Sequence, residues 1–203
     1  MPRRVYLTEE IRRVEQAAGA VSPPLMERAG AAAADLAATL CSDKGKDVLI
    51  LAGPGNNGGD AMVVARILKE RYFRVSVARS FDEIPKDVRW NLVVDGLFGI
   101  GLARPIEGEY AKLVDCANAQ SCPVLALDIP SGIDSDTGRI LGRAVRATHT
   151  LTFIGLKPGL LTLDGPDHCG QVLVSDLQLD APSTQANHGW VGYSLFSVSP
   201  LPE

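Results

Sequence analysis

The sequence predicts an α/β protein: a three-layer α/β/α sandwich built on a mostly parallel sheet. Three observations carry this. Runs such as "DVLILAG" (47–53) and "NLVVDGLFG" (91–99) are apolar at consecutive positions, so both faces of each strand call for cover. These runs alternate with segments of helical period. Glycine- and acid-rich loops follow the strand ends, where open parallel sheets bind ligands.

Each element follows in order. Thr8 ahead of Glu9, Glu10 and Ile11 reads as a helix start, with acids at the positive end of the helix. A second helix is expected over 24–40. Met26, Ala29, Ala33, Leu36, Ala37 and Leu40 share one of its faces, and its alanines imply close packing on a sheet. Then come a strand over 47–53, a helix over 60–71, a strand over 74–79 and a strand over 91–99. A helix over 107–120 aligns Tyr110, Leu113, Val114 and Ala117. "CPVLALDIPSG" (122–132) starts as a strand, and "HTLTFIG" (149–155) and "QVLVSDL" (171–177) complete the sheet. Residues 1–180 are expected to form one domain. The Pro-, Ser- and Gly-rich stretch 181–203 is expected to be a tail or linker.

Composition narrows the function. The chain has 203 residues, 46% apolar and 22% charged, ordinary values for a single globular domain. A net charge of −4 with scattered Lys and Arg argues against a nucleic-acid partner. The polar start "MPRRVYLTEEIRRVEQ" is no signal peptide, and no apolar stretch is long enough to span a bilayer. Cys41, Cys116, Cys122 and Cys169 lack metal spacing and read as reduced thiols, so a cytoplasmic setting is expected. His149, His168 and His188 read as structural or solvated.

Three loops hold the chemistry. In "GPGNNGGD" (53–60), Gly53, Gly55 and Gly58 match G-x-G-x-x-G between strand and helix, which would let a phosphate approach the helix N-terminus. A tight turn needing glycine explains the same motif. The ribose-binding acid about 20 residues further on is missing. Arg79 stands there instead, which leaves open an NADP-dependent dehydrogenase. Asp60 reads as a helix cap, and Asn57 offers a carbonyl oxygen to a hard cation. In the second loop Asp95 ends an apolar strand, either bonded to backbone N–H groups or as a cation ligand; both readings stand. Gly99 and Gly101 permit a turn around a phosphate, with Arg104 to pair with it or to lie on the surface. In the third loop Asp128 ends another apolar strand and is expected to do acid–base catalysis, while Asp134 and Asp136 read as turn residues.

Taken in order, "LMERAG" (25–30), "GPGNNGGD" (53–60), "VDGLFGIGL" (94–102), "ALDIPSGIDSDTG" (126–138) and "TFIGLKPGLL" (152–161) resemble the YjeF N-terminal domain family over roughly residues 8–179. That family contains the NAD(P)H-hydrate epimerases. The resemblance implies a Rossmann-like sheet and interconversion of the R and S forms of hydrated NAD(P)H for coenzyme repair. It implies functional coupling to an NAD(P)H-hydrate dehydratase, fused behind this domain in many bacteria. It implies a potassium ion (K+) held by Asn57, Asp95 and Ser131. Substrate contacts carry over onto Asn56, Asn57, Gly58, Gly59, Asp60, Gly99, Ile100, Gly101, Leu102, Ala103, Arg104, Pro105 and Asp128. Members of the family often dimerise through their N-terminal helices, and some relatives are non-catalytic scaffolds. The substrate carbon is a hemiaminal, so Asp128 is expected to protonate a departing hydroxyl and then activate the returning water; ring opening to an aldehyde is the rival route. Ala61 replaces a glycine common in relatives. Leu102, Ala103 and Arg104 fill the place of a lysine found after "LFG" in some, so no second catalytic group is assigned. Lys157 is read as structural.

Overall fold

The computed structural model describes residues 3–41, 45–179 and 190–191. Among them, eight strands and five α-helices follow one another as β1 (Arg3–Arg4), α1 (Thr8–Ala18), α2 (Leu25–Cys41), β2 (Asp47–Ala52), α3 (Asn56–Glu70), β3 (Arg74–Ala78), β4 (Leu92–Gly96), α4 (Gly108–Asn118), β5 (Val124–Leu127), β6 (His149–Phe153), α5 (Pro166–Cys169), β7 (Gln171–Ser175) and β8 (Trp190–Val191). Six of the strands form one parallel sheet in the order β3-β2-β4-β5-β6-β7.

Strand side chains alternate between two cores, as the double-faced apolar runs require. Val48, Ile50, Ala52, Leu92, Val94, Leu125 and Leu127 pack with residues of α1, α2 and α3. Leu49, Leu51, Val93, Val124 and Ala126 pack with Leu113, Val114 and Ala117 of α4. Each fully buried Val or Leu contributes about 1.5–3 kcal/mol, so the sheet centre is the least deformable part of the molecule. The α/β class and the helix-covered sheet expected from sequence are thus present. On α2 the expected apolar face is shifted. Ala29, Gly30, Ala33, Ala34, Leu36, Ala37 and Cys41 are buried, whereas Met26 is exposed and Leu40 only half-buried.

The order places a switch point between β2 and β4. The chain leaves β2 towards β3 on one side, then returns to add β4 on the other. Register aligns the strand ends, with Leu51 beside Asp95 and Asp95 beside Ala126. The loops after β2, β4 and β5 therefore leave the sheet at one level, at the place where such folds hold ligands.

Helix α1 roofs that edge. The Asp136 carboxylate, on the loop after β5, accepts from Thr8 N (2.7 Å) and Thr8 Oγ1 (2.9 Å) at the positive end of α1. Thr8 does not cap its own helix: its hydroxyl turns to Asp136 and Ser135. Asp134 does behave as a turn residue, accepting from Asp136 N, Thr137 N and Thr137 Oγ1. The sequence reading gives 181–203 no element, yet Trp190–Val191 pairs antiparallel with Arg3–Arg4. The rest of that stretch, His188 included, lies outside the described residues. The four cysteines form no disulfide with one another. No described helix is long and apolar enough to cross a membrane.

Candidate functional site

The first loop is mostly helix. Helix α3 starts at Asn56 with Gly55 as its N-cap, four residues earlier than the sequence suggests. Two close backbone approaches force glycine here. A Cβ on Gly53 would lie 1.7 Å from the Leu97 carbonyl oxygen, and one on Gly58 would lie 1.9 Å from that of Gly53. The turn after β2 is thereby pressed against the loop after β4, with Gly53 N donating to Gly96 O at 3.0 Å. Asp60 is not a cap. It sits in the second turn of α3 and lines the cleft.

A cavity of about 270 Å³ opens between these loops and α1. Asn56, Asn57, Asp60, Gly99, Ile100, Gly101, Leu102 and Asp128 are among the residues lining it. Gly58, Gly59, Ala103, Arg104 and Pro105, expected as contacts, are not in its wall. Arg104 is exposed. Arg79, the residue behind the dehydrogenase alternative, lies away from the cavity, with its guanidinium on Met62 Sδ and its amide on Glu83. Sequence reasoning missed Ile11, Arg12 and Glu15 of α1 and Phe153 at the end of β6. No sequence pattern ties those residues to the loops they face.

Asp95 is fully buried. Both its oxygens are used: Oδ1 accepts from Ser131 Oγ (2.6 Å) and Leu97 N (3.2 Å), and Oδ2 from Ser131 N (2.8 Å). Burial nevertheless pushes its carboxyl up to about 6, against the downward pull of those bonds. Ser131 links onward, its hydroxyl accepting from Phe98 N at 2.9 Å. Asn57 is also buried, and neither its amide nitrogen nor its carbonyl oxygen has a partner among the described residues. A buried orphan of this kind costs about 1–3 kcal/mol, so the fold keeps it at a loss. It stands close to Asp128. A Cβ on Gly99 would lie 3.0 Å from Asp128 Oδ2 and 3.5 Å from Asn57 Oδ1. The donor set of one carboxylate, one amide carbonyl and one hydroxyl is all oxygen, the kind that suits a hard cation.

Asp128 itself is 9% exposed and holds φ +67°, a conformation uncommon outside glycine. Its Oδ2 accepts from Ile100 N at 3.2 Å, and its Oδ1 accepts from Lys157 Nζ at 2.5 Å. Lys157, read from sequence as structural, is fully buried and paired with the proposed catalytic acid. Two more carboxyls share the cleft. Burial first, then the charges of Asp128 and Glu15, push Asp60 up to about 8. Glu15 is raised too, by burial of its carboxyl and then by Asp128, although much of its side chain stays open to water.

Asp60 gives a stability prediction. Its carboxyl holds a proton in the folded state up to about pH 8, but an unfolded Asp loses it near 3.8. The folded state thus binds more protons between those values, and stability falls as pH rises through that window. Asp60→Asn is expected to flatten this slope and to gain on the order of 2 kcal/mol over wild type at pH 8, allowing for partial exposure. Near pH 4 the two should match. Urea unfolding at both pH values checks it; parallel slopes would refute it.

Fold and cleft together define a Rossmann-like α/β protein whose cleft opens at the sheet's switch point. The family model described as "YjeF-related protein N-terminus" matches residues 22–93 and 89–159, and the chain belongs to that family. A Bordetella pertussis (strain CS) protein named NAD(P)H-hydrate epimerase is 43% identical, covering 84% of this chain and 86% of its own. One of that name from Limosilactobacillus fermentum is 37% identical, covering 78% and 87%. The crystal structure of yeast ynu0, YNL200c, superposes with a TM-score of 0.69 at 20% identity, over 94% of this chain and 96% of that one, and shares the fold.

Proposed function

We propose that the chain is an NAD(P)H-hydrate epimerase, interconverting the two forms of the hydrated coenzyme so that a dehydratase specific for one of them can restore it. The observation that carries this is Asp128, held at the cleft wall at φ +67° with one oxygen on Lys157 and the other on Ile100 N. Relatives bearing that name at 37–43% identity support it. At about 270 Å³ the cavity lies just under the usual range for ligand pockets, about 300–1,000 Å³. It therefore suits the nicotinamide end, with the rest of the dinucleotide across the open mouth.

The residues divide the work. The reacting carbon bears a hydroxyl next to the ring nitrogen and loses its configuration if either the C–O or the C–N bond opens and recloses. Both routes need one proton moved at a fixed point, and Asp128 Oδ2 is that point. Asp60, protonated at neutral pH, can donate a hydrogen bond to the bound ring. The loop 99–102 and α1 wall the cleft on the side of Asp128.

Asn57, Asp95 and Ser131 fit a potassium ion, because the orphaned Asn57 carbonyl gains a partner and Asp95 a counter-charge. Such an ion would supply positive charge that ties the first, second and third loops together. Exchanging KCl for LiCl at equal ionic strength is expected to lower Tm by about 3 °C or more and to cut activity. Asn57→Ala should erase the difference. Equal melting in both salts would remove the ion from the site. The four cysteines without disulfides among them support a cytoplasmic setting.

The test of function is a coupled one. The R hydrate is supplied to an S-specific dehydratase, and recovery of NADPH is followed with and without this protein. A rate no faster than spontaneous epimerisation would end the reading.

A further inference from the structure

The ends of β5 and β6 share an unusual construction. Leu127 O accepts from Ile129 N (2.8 Å) around Asp128, and Phe153 O accepts from Gly155 N (2.7 Å) around Ile154. The central residues hold φ +67° and +69°. Three-residue turns with positive central φ are rare and strained, most of all for a β-branched residue. Lys157 lies between them. Its ammonium donates its three protons to Asp128 Oδ1 (2.5 Å), Thr152 Oγ1 (2.8 Å) and Phe153 O (2.8 Å). The side chain is wholly buried and is absent from the cavity wall, so it cannot touch a ligand. A lysine this buried is tolerated only with a full set of partners.

We propose that Lys157 is a positioning residue of the reaction: it fills one oxygen of Asp128 with a fixed positive charge and leaves Oδ2 as the base that opens the hydrated ring. This rests on the epimerase reading above. Oδ2 takes the proton of the ring hydroxyl, and that oxygen's electron pair closes a carbonyl. The C–N bond breaks, and its pair passes to the ring nitrogen, which takes the proton back from Asp128. Rotation about the adjoining C–C bond and the same steps in reverse give the other epimer, with nothing consumed. The rival route expels the hydroxyl as water and uses Asp128 first as acid rather than as base. Among the described residues, the other charged groups around the cleft at Asp128 are Asp60 from α3 and Arg12 and Glu15 from α1. Asp60 stays protonated at neutral pH and does not compete as base.

Two experiments decide it. In H₂¹⁸O, wild-type enzyme converting the unlabelled R hydrate is expected to give first-turnover S hydrate that keeps its original oxygen. Label entering once per epimerisation overturns the ring-opening step. Lys157→Met is expected to lower kcat about 100-fold, to leave NADPH binding within about threefold, and to change the pH profile of kcat. Unchanged kcat, or an unchanged profile, refutes the role of the lysine. Should that variant not fold, ¹³C NMR of wild-type Asp128 at pH 7 replaces it: a carboxylate signal supports the proposal and a protonated carboxyl overturns it. The NMR measurement needs no turnover, so failure of the epimerase reading is told apart from failure of this one.

Discussion

An Asp128→Asn protein is expected to lose epimerase activity by about 10²–10⁴-fold, the usual contribution of a positioned acid–base group. The amide keeps the shape of the side chain, but its single oxygen can accept from only one of the two donors, Lys157 or Ile100 N. What it lacks is an oxygen able to take a proton. A second loss accompanies the first. The Lys157 ammonium keeps its hydroxyl and carbonyl partners but loses its counter-charge in a fully buried place. Removing one member of a buried ion pair costs about 3–5 kcal/mol. The double variant Asp128→Asn/Lys157→Met removes both charges and should recover much of that stability with no recovery of activity. Denaturant unfolding and the coupled assay, run on the same preparations, separate the effects. Native-rate epimerisation by Asp128→Asn would remove the residue from the chemistry.

The second large effect concerns Gly53. Its Cβ position is fixed by the backbone, so no rotamer relieves an alanine placed 1.7 Å from the Leu97 oxygen. The ends of β2 and β4 would have to part, breaking the bond from Gly53 N to Gly96 O. Gly53→Ala is expected to cost about 4 kcal/mol and to lower Tm by about 10 °C. The displaced β2 turn would carry Asn57 with it, so activity should fall even at temperatures where the variant is folded. Gly55→Ala is the control. A Cβ there meets nothing within 4 Å, so the variant loses only the preference for glycine at the helix cap, about 0.5–1 kcal/mol. Similar melting of the two variants would contradict the close approach.

The sheet was legible because its strands are apolar on both faces, a pattern that survives whatever the loops do. Asp95 and Asp128 were legible for the opposite reason: a carboxylate closing an apolar run is costly and draws notice. The start of α3 was not, since Asn-Asn-Gly-Gly has poor helix propensity and is wound into a helix by contact with Gly53. Lys157 was legible as structural but not as a partner of Asp128, because the two are 29 positions apart. Only the fold-back after β6 carries it beneath Asp128. Arg12 and Glu15 reach the cleft through the tie between Thr8 and Asp136, 128 positions apart, which no local pattern encodes.

That tie has a mechanical consequence. Helix α1 and the turn after β5 are fastened to each other, so the roof of the cleft cannot lift away without pulling on the chain that follows Asp128. Access is left at the side of the cleft, past residues 54–56 and 99–102.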